Sequence, residues 1–179
     1  SRGEAGKQHL VAAKERIESD LRIAHEIQMS LVPQIFPRIE GVELAALLDP
    51  AREVGGDFYD AFPLGEGLWA FAVGDVSGKG VPAALFMAVT RTLLRALAPT
   101  EEAPGRLLGR LNDELAAGND TCMFVTLFYG VLRLSTGELR YASAGHPAPL
   151  SFAPGEPVRA LPRVSGPLAG PLAGMIFQE

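Results

Sequence analysis

Cysteine is almost missing from this 179-residue chain, and the single one, Cys122, rules out an internal disulfide framework and any cysteine-based zinc cluster. A reducing compartment, the cytoplasm, is the expectation that follows. No apolar run approaches the length of a membrane span, and no signal-peptide pattern precedes the first charged residues. Basic charge is also scarce. With 16 Lys and Arg against 21 Asp and Glu, the net charge of -5 excludes the basic face that a non-specific nucleic-acid binder needs. An initiator methionine is lacking too. The chain opens Ser1-Arg2-Gly3 and reads as a piece of a longer protein, which leaves an upstream attachment to a membrane open. What is present is 47% hydrophobic and 21% charged, enough to build one ordinary core with a short appendage.

That appendage is residues 1–34. From Lys7 to Leu31 the pattern is one amphipathic helix, with Leu10, Ile17, Ala24 and Leu31 at heptad spacing and Leu21 and Ile27 widening the stripe. Pro33 and Pro37 end it, because proline lacks an amide proton and clashes with a preceding turn. Two readings stay open: a helix packed on its own domain, or a coiled-coil linker arriving from an upstream sensor. Residues 35–179 form the domain proper. Val42, Leu44, Ala46 and Leu48 alternate as a strand, and Leu68 to Val76 is an almost wholly apolar one. Gly80-Val81-Pro82 starts a helix whose buried face is marked by Leu85, Val89, Leu93 and Leu97. A second helix follows with Leu107, Leu111 and Leu115 inward, ended by Gly118. Cys122 to Leu134 reads as a long strand, returning through Ser135-Thr136-Gly137 into Leu139 to Ala144, with a short strand near Leu150 to Phe152. The sum is an α+β fold in which helices cover a largely antiparallel sheet.

Two segments carry the candidate chemistry, Val54-Gly55-Gly56-Asp57-Phe58-Tyr59-Asp60 and Gly74-Asp75-Val76-Ser77-Gly78-Lys79-Gly80. Each sets an aspartate beside glycine near a strand end. Two carboxylates brought together repel unless a cation compensates, and hard divalent ions prefer carboxylate, carbonyl and water oxygens. Alternatively, Asp57 and Asp75 are turn or cap residues, which glycine neighbours also favour. The second segment fails as a phosphate-binding loop, since Val73 stands where the first glycine belongs and Gly80 follows Lys79. Gly78 to Ala83 matches the dinucleotide pattern only in isolation and reads as a steep turn feeding a helix. His9 and His25 fall on the solvated face of the first helix. Cys122 has no activating neighbour, and Ser77 and Ser143 have no evident His-Asp arrangement. His146, in Ala144-Gly145-His146-Pro147, either lines a site or caps a bend, and the structural role is favoured.

Taken in order, these blocks resemble the SpoIIE-like (RsbU-like) branch of the PPM-type, or protein phosphatase 2C type, metal-dependent serine phosphatases. The resemblance runs through Ala24 to Pro33, Val54 to Asp60, Gly74 to Gly80, Leu111-Asn112, Phe124 to Gly130 and Tyr141 to His146. It implies two stacked, largely antiparallel sheets flanked by helices, an αββα sandwich with an N-terminal linker helix. It also implies a binuclear Mn²⁺ or Mg²⁺ site, with Asp57 a metal ligand, Asp75 bridging both ions and the Val76 carbonyl a further ligand. The phosphatase role so implied is hydrolysis of phosphoserine on a bacterial signalling protein, a STAS-type anti-anti-sigma factor, by a metal-activated water and without a covalent nucleophile. An upstream sensor and a homodimer through the first helix are the implied partners. The alternative is a non-catalytic dimerising and docking module in a sigma-factor partner-switching pathway. Arg52 sits where eukaryotic relatives place a phosphate-binding arginine, and that role is not carried over. The family's later Thr-Asp-Gly block has no counterpart, because no aspartate follows Asp120. The sandwich is therefore expected to be C-terminally incomplete, and this chain alone to bind metal weakly and hydrolyse little.

Overall fold

A computed structural model describes residues 2–50, 53–65, 67–164 and 166–179. The chain opens with a 30-residue helix, α1 (Arg2–Leu31). Its first five turns lie exposed, with Leu10 73% and Ile17 59% accessible, and only the last turns are buried, at Gln28 and Val32. The packed reading holds at the C-terminal end of this helix. Its C-terminal end packs on the domain, and its N-terminal stretch presents an open apolar seam.

The expected strand at 42–48 does not form. Ile39 and Val42 make an isolated bridge around Gly41, and among the described residues the alternating positions that follow have no ladder partner, leaving Leu47 91% exposed. The first ladder strand is instead β1 (Asp57–Gly65), which pairs antiparallel with β2 (Leu68–Val76). Helix α2 (Gly80–Leu97), a 3₁₀ turn and α3 (Pro104–Ala116) follow, then β3 (Val125–Arg133) and β4 (Glu138–Ala144). These strands make one antiparallel sheet in the order β1-β2-β3-β4. A separate two-stranded ribbon joins β5 (Leu150–Ser151) to β6 (Arg159–Ala160). The architecture is α+β, with antiparallel sheets and flanking helices. Cys122 lies outside β3, exposed at positive φ in the turn before it.

Helices α2 and α3 cover one face of the sheet, where Phe58, Phe62, Ala70, Ala72, Leu127, Tyr129 and Ala142 point inward by the two-residue period of each strand. The buried stripe of α2 is Ala83, Met87, Thr90 and Leu94, while Leu85 and Val89 face outward at 64% and 51%. The reason is electrostatic as well as apolar. Arg91 and Arg95, next to that stripe, reach the buried Asp60 of β1, and Leu85 and Val89 turn away from the sheet while Leu93 and Leu97 still pack half-buried on the core. By length and composition alone, 80–100 would also pass as a membrane span, contrary to the sequence reading. Its ion pairs to β1 are those of a core helix. Helix α3 buries Leu107, Leu111 and Leu115 as expected, and Gly118, at φ 72, turns the chain away. The fully buried Asn112 anchors the final segment, donating to the Leu172 carbonyl (2.9 Å) and accepting from Gly170 N–H (2.9 Å).

Candidate metal centre

Antiparallel register places Asp57, the first residue of β1, directly opposite Asp75, the penultimate residue of β2. Directly opposed residues hold their Cβ atoms about 4.5–5.5 Å apart on one face. The two carboxylates meet there, on the face away from α2 and α3. Burial raises the Asp57 pKa above its ordinary value, and a hydrogen bond to Asp75 and the Asp75 charge push it further the same way. Such a pair is relieved by a shared proton or by a cation.

Glycines let the two strand ends approach. A Cβ on Gly56 would stand 2.8 Å from the Val76 carbonyl oxygen and 2.9 Å from the Val76 Cβ, and Val76 N–H donates to the Gly56 carbonyl (3.3 Å). A Cβ on Gly74 would stand 2.4 Å from the Phe58 ring. Val76 is itself buried and lines the cleft that Asp57 and Asp75 share with Gly55, Gly56, Gly78, Lys79 and Gly80. Gly78 and Gly80, at φ 85 and 69, form the steep turn into α2 that the spacing implied.

The loop carrying Asp57 is held from behind by α1. The buried Gln28 amide donates to the Gly55 carbonyl (2.5 Å) and accepts from Gly55 N–H (3.1 Å), so one side chain satisfies both polar groups of one peptide residue. His25 Nδ1 pairs with the Glu53 carbonyl (2.5 Å), which corrects its placement on the solvated face; His9 is exposed. Gln28→Leu would leave Gly55 with two unpaired groups. We expect it to lower stability by about 1–3 kcal/mol in a urea titration, against well under 1 kcal/mol for a change at exposed Gln8. The sequence signal for Gln28 was a lone amide among the apolar positions at the end of α1, and it was passed over.

Ser77 and Ser143 make backbone contacts, Ser77 Oγ accepting from Phe124 N–H (3.0 Å) and Ser143 Oγ bridging His146 N and O (3.1 Å each). The His146 ring does more than cap a bend. Its Nδ1 meets Thr126 Oγ1 (2.9 Å), and it lines a second recess with Asp57, Tyr59, Val73 and Asp75. Its pKa is lowered by burial and partly restored by the Asp75 charge. Asp60 faces the opposite side of the sheet, and Arg52 lies outside the described residues.

The donor set at Asp57 and Asp75 is oxygen only, and its two abutting carboxylates are the arrangement a hard divalent ion relieves, so these residues fit Mg²⁺ or Mn²⁺. Among the described residues no three His, Cys, Asp or Glu side chains gather closely enough to enclose an ion.

Residues 65–179 match the family described as Stage II sporulation protein E (SpoIIE). The chain is 33% identical over 139 residues to phosphoserine phosphatase RsbU of Bacillus subtilis, covering 78% of this chain and 41% of that protein. It is 33% identical over 186 residues to protein IcfG of Synechocystis sp., covering 88% of this chain and 29% of that one. It thus spans less than half the length of these curated relatives. In fold it is similar to the SiaA-PP2C domain of Pseudomonas aeruginosa, with a TM-score of 0.74 and 20% identity over 93% of this chain and 67% of that one.

Proposed function

The chain belongs to the SpoIIE family, and from that premise we propose that it is a metal-dependent phosphatase domain acting on phosphoserine. The observation that carries this reading is the in-register contact of Asp57 with Asp75 at the mouth of a cleft. A bound pair of Mg²⁺ or Mn²⁺ ions would supply Lewis acidity to a phosphoryl oxygen and acidify a water. The residues that would hold the ions are Asp57, Asp75 and the Val76 carbonyl. The chain's own contribution is positional. The β1–β2 ladder fixes the separation of the carboxylates, Gly56 and Gly74 let the strands close, and Gln28 pins the loop. With so few side-chain ligands among the described residues, each ion would complete its shell with water and bind weakly to this chain.

The substrate we propose is a phosphorylated STAS-type anti-anti-sigma protein, in line with the phosphoserine phosphatase named among the relatives. The exposed seam of α1 and the outward Val81, Leu85 and Val89 of α2 favour a compatible second role, dimerisation and docking through that end of the molecule. The direct test is hydrolysis of p-nitrophenyl phosphate by this chain and by one extended through the later Thr-Asp-Gly block. Slow turnover by the first and faster turnover by the second are expected with millimolar Mn²⁺, and none with EDTA; turnover that EDTA leaves unchanged would remove the metal from the reading.

A further inference from the structure

Strand register places a third and a fourth side chain in line with the carboxylate pair. Asp57 opposes Asp75 across β1 and β2, and Asp75 opposes Thr126 across β2 and β3. On β4 the last ladder pair is Leu127 with Ala144, so the position facing Thr126 is Gly145, and the turn there brings His146 to Thr126. With strands about 4.8 Å apart, the backbone after β4 lies about 10 Å from that bearing Asp75, a gap that a phosphoryl group between the two side chains would span. His146 lines the same recess as Asp57 and Asp75.

This histidine is held at three points. Ser143 Oγ accepts its backbone N–H and donates to its carbonyl (3.1 Å each), and Gly145, at φ 65, provides the turn. Thr126 Oγ1 holds ring Nδ1 at 2.9 Å, whereas its contact with the Asp75 carbonyl is 3.5 Å. Two arrangements satisfy this contact: Thr126 O–H donates to Nδ1 and the neutral ring carries its proton on Nε2, or Nδ1–H donates to Thr126 Oγ1 and the hydroxyl passes its own proton to the Asp75 carbonyl. The shorter of the two Thr126 contacts favours the first. Among the described residues His146 does not join the carboxylates as a third ligand, since no three such side chains cluster.

We propose that Thr126 holds the ring in the first arrangement and that Nε2–H of His146 is a hydrogen-bond donor to a phosphoryl oxygen of the phosphate monoester handled at the Asp57–Asp75 site. The proposal rests on the phosphatase reading and adds to it a substrate contact made by the protein itself. A ring whose tautomer and orientation are set before substrate arrives donates without reorganising. Histidine serving only as a turn cap would need no fixed Nε2 proton.

The test uses this chain with Mg²⁺, which is diamagnetic, and ¹⁵N spectra of the imidazoles. His146 should show the Nε2–H tautomer, and titration with inorganic phosphate should move its Nε2 resonance saturably. In Thr126→Val the tautomer preference and the phosphate response should both be lost while the backbone amide spectrum stays folded. With p-nitrophenyl phosphate, His146→Ala should raise KM about tenfold or more, as expected for a bond to a charged group. His146→Gln, which can place an amide donor nearby, should recover part of that loss. If the wild-type chain hydrolyses the ester but phosphate leaves His146 unmoved, or His146→Ala keeps the wild-type KM, the contact is refuted and the phosphatase reading stands. If the wild-type chain neither hydrolyses the ester nor responds to phosphate anywhere near Asp57 and Asp75, both fall together.

Discussion

Asp75→Asn is expected to abolish Mn²⁺-dependent phosphomonoester hydrolysis while making the metal-free chain more stable. The two effects have one origin. Asp75 faces Asp57 across the β1–β2 ladder, and in the metal-free protein burial, a hydrogen bond to Asp75 and its charge raise the Asp57 pKa above its ordinary value of 3.8. A carboxyl group whose folded pKa is raised binds more protons in the native state than in the unfolded one. Stability therefore falls as pH rises from the ordinary value through the raised one, and stays low above it. Asparagine at 75 removes the charge that opposes ionisation of Asp57, so this slope should flatten and metal-free stability at neutral pH should increase. Magnesium should stabilise the wild type at neutral pH, because it binds the native state alone, and should do little for the variant. Charge stabilisation by a bound ion is worth several kcal/mol, so losing one of the two carboxylates proposed to hold it should lower turnover roughly a thousandfold or more. Urea titrations in EDTA across the acid range, with and without Mg²⁺, read the first effect, and p-nitrophenyl phosphate reads the second. A variant that turns over at the wild-type rate, or keeps the wild-type pH slope, would show that the two carboxylates do not act as one site.

How far the sequence was legible depended on whether a residue's task is local or relational. Residues 68–76 were readable as a strand to the residue, because a continuous apolar run ending at glycine and aspartate is a local pattern. Helix α3 and the β3–β4 turn were readable for the same reason. Residues 57–65 were not read as a strand, since Asp60 and Pro63 interrupt the pattern. Asp60 sits there because two arginines on α2 neutralise it, and Pro63 because it lies on an edge strand, just before the register shift. The run Val42 to Leu48 made the opposite error possible, as its alternation is genuine but among the described residues no strand pairs with it. The inward face of α2 was read correctly at Leu93 and Leu97 and wrongly at Leu85 and Val89, because leucine spacing was weighed without its arginines. At the site, Asp57 and Asp75 stood out from their glycine neighbours, whereas Gln28, Thr126 and the His146 ring matter only through partners far along the chain.

Asp60, the second aspartate of the Gly-Gly-Asp-Phe-Tyr-Asp run, should prove structural, and its removal the most destabilising single change considered. Three residues after Asp57, it points to the other face of the sheet, where its side chain is fully buried. Arg95 grips both oxygens, Nε to Oδ2 and Nη2 to Oδ1 at 2.7 Å each, and stacks over the Phe62 ring at 4.6 Å. The Ala61 amide adds a bond to Oδ1 at 2.9 Å. Arg91 Nε comes within 3.1 Å of Oδ2 but is poorly aimed and finds no directed acceptor, so the charge of Asp60 holds it more than a hydrogen bond does. Asp60→Ala leaves both guanidinium groups uncompensated beneath α2, and Arg91, at 13% exposure, cannot reach far into water. Breaking a buried pair from one side costs about 3–5 kcal/mol, and that loss should appear in a urea titration of the variant. A double-mutant cycle should give a larger coupling for Asp60 with Arg95 than with Arg91, because only the former pair is bidentate. Replacing all three by apolar residues should recover much of the loss, since desolvating the ions is itself costly. Measured where the variant remains folded, Mg²⁺ affinity should stay near the wild-type value. A large loss of metal affinity without a loss of stability would place Asp60 among the ligands instead.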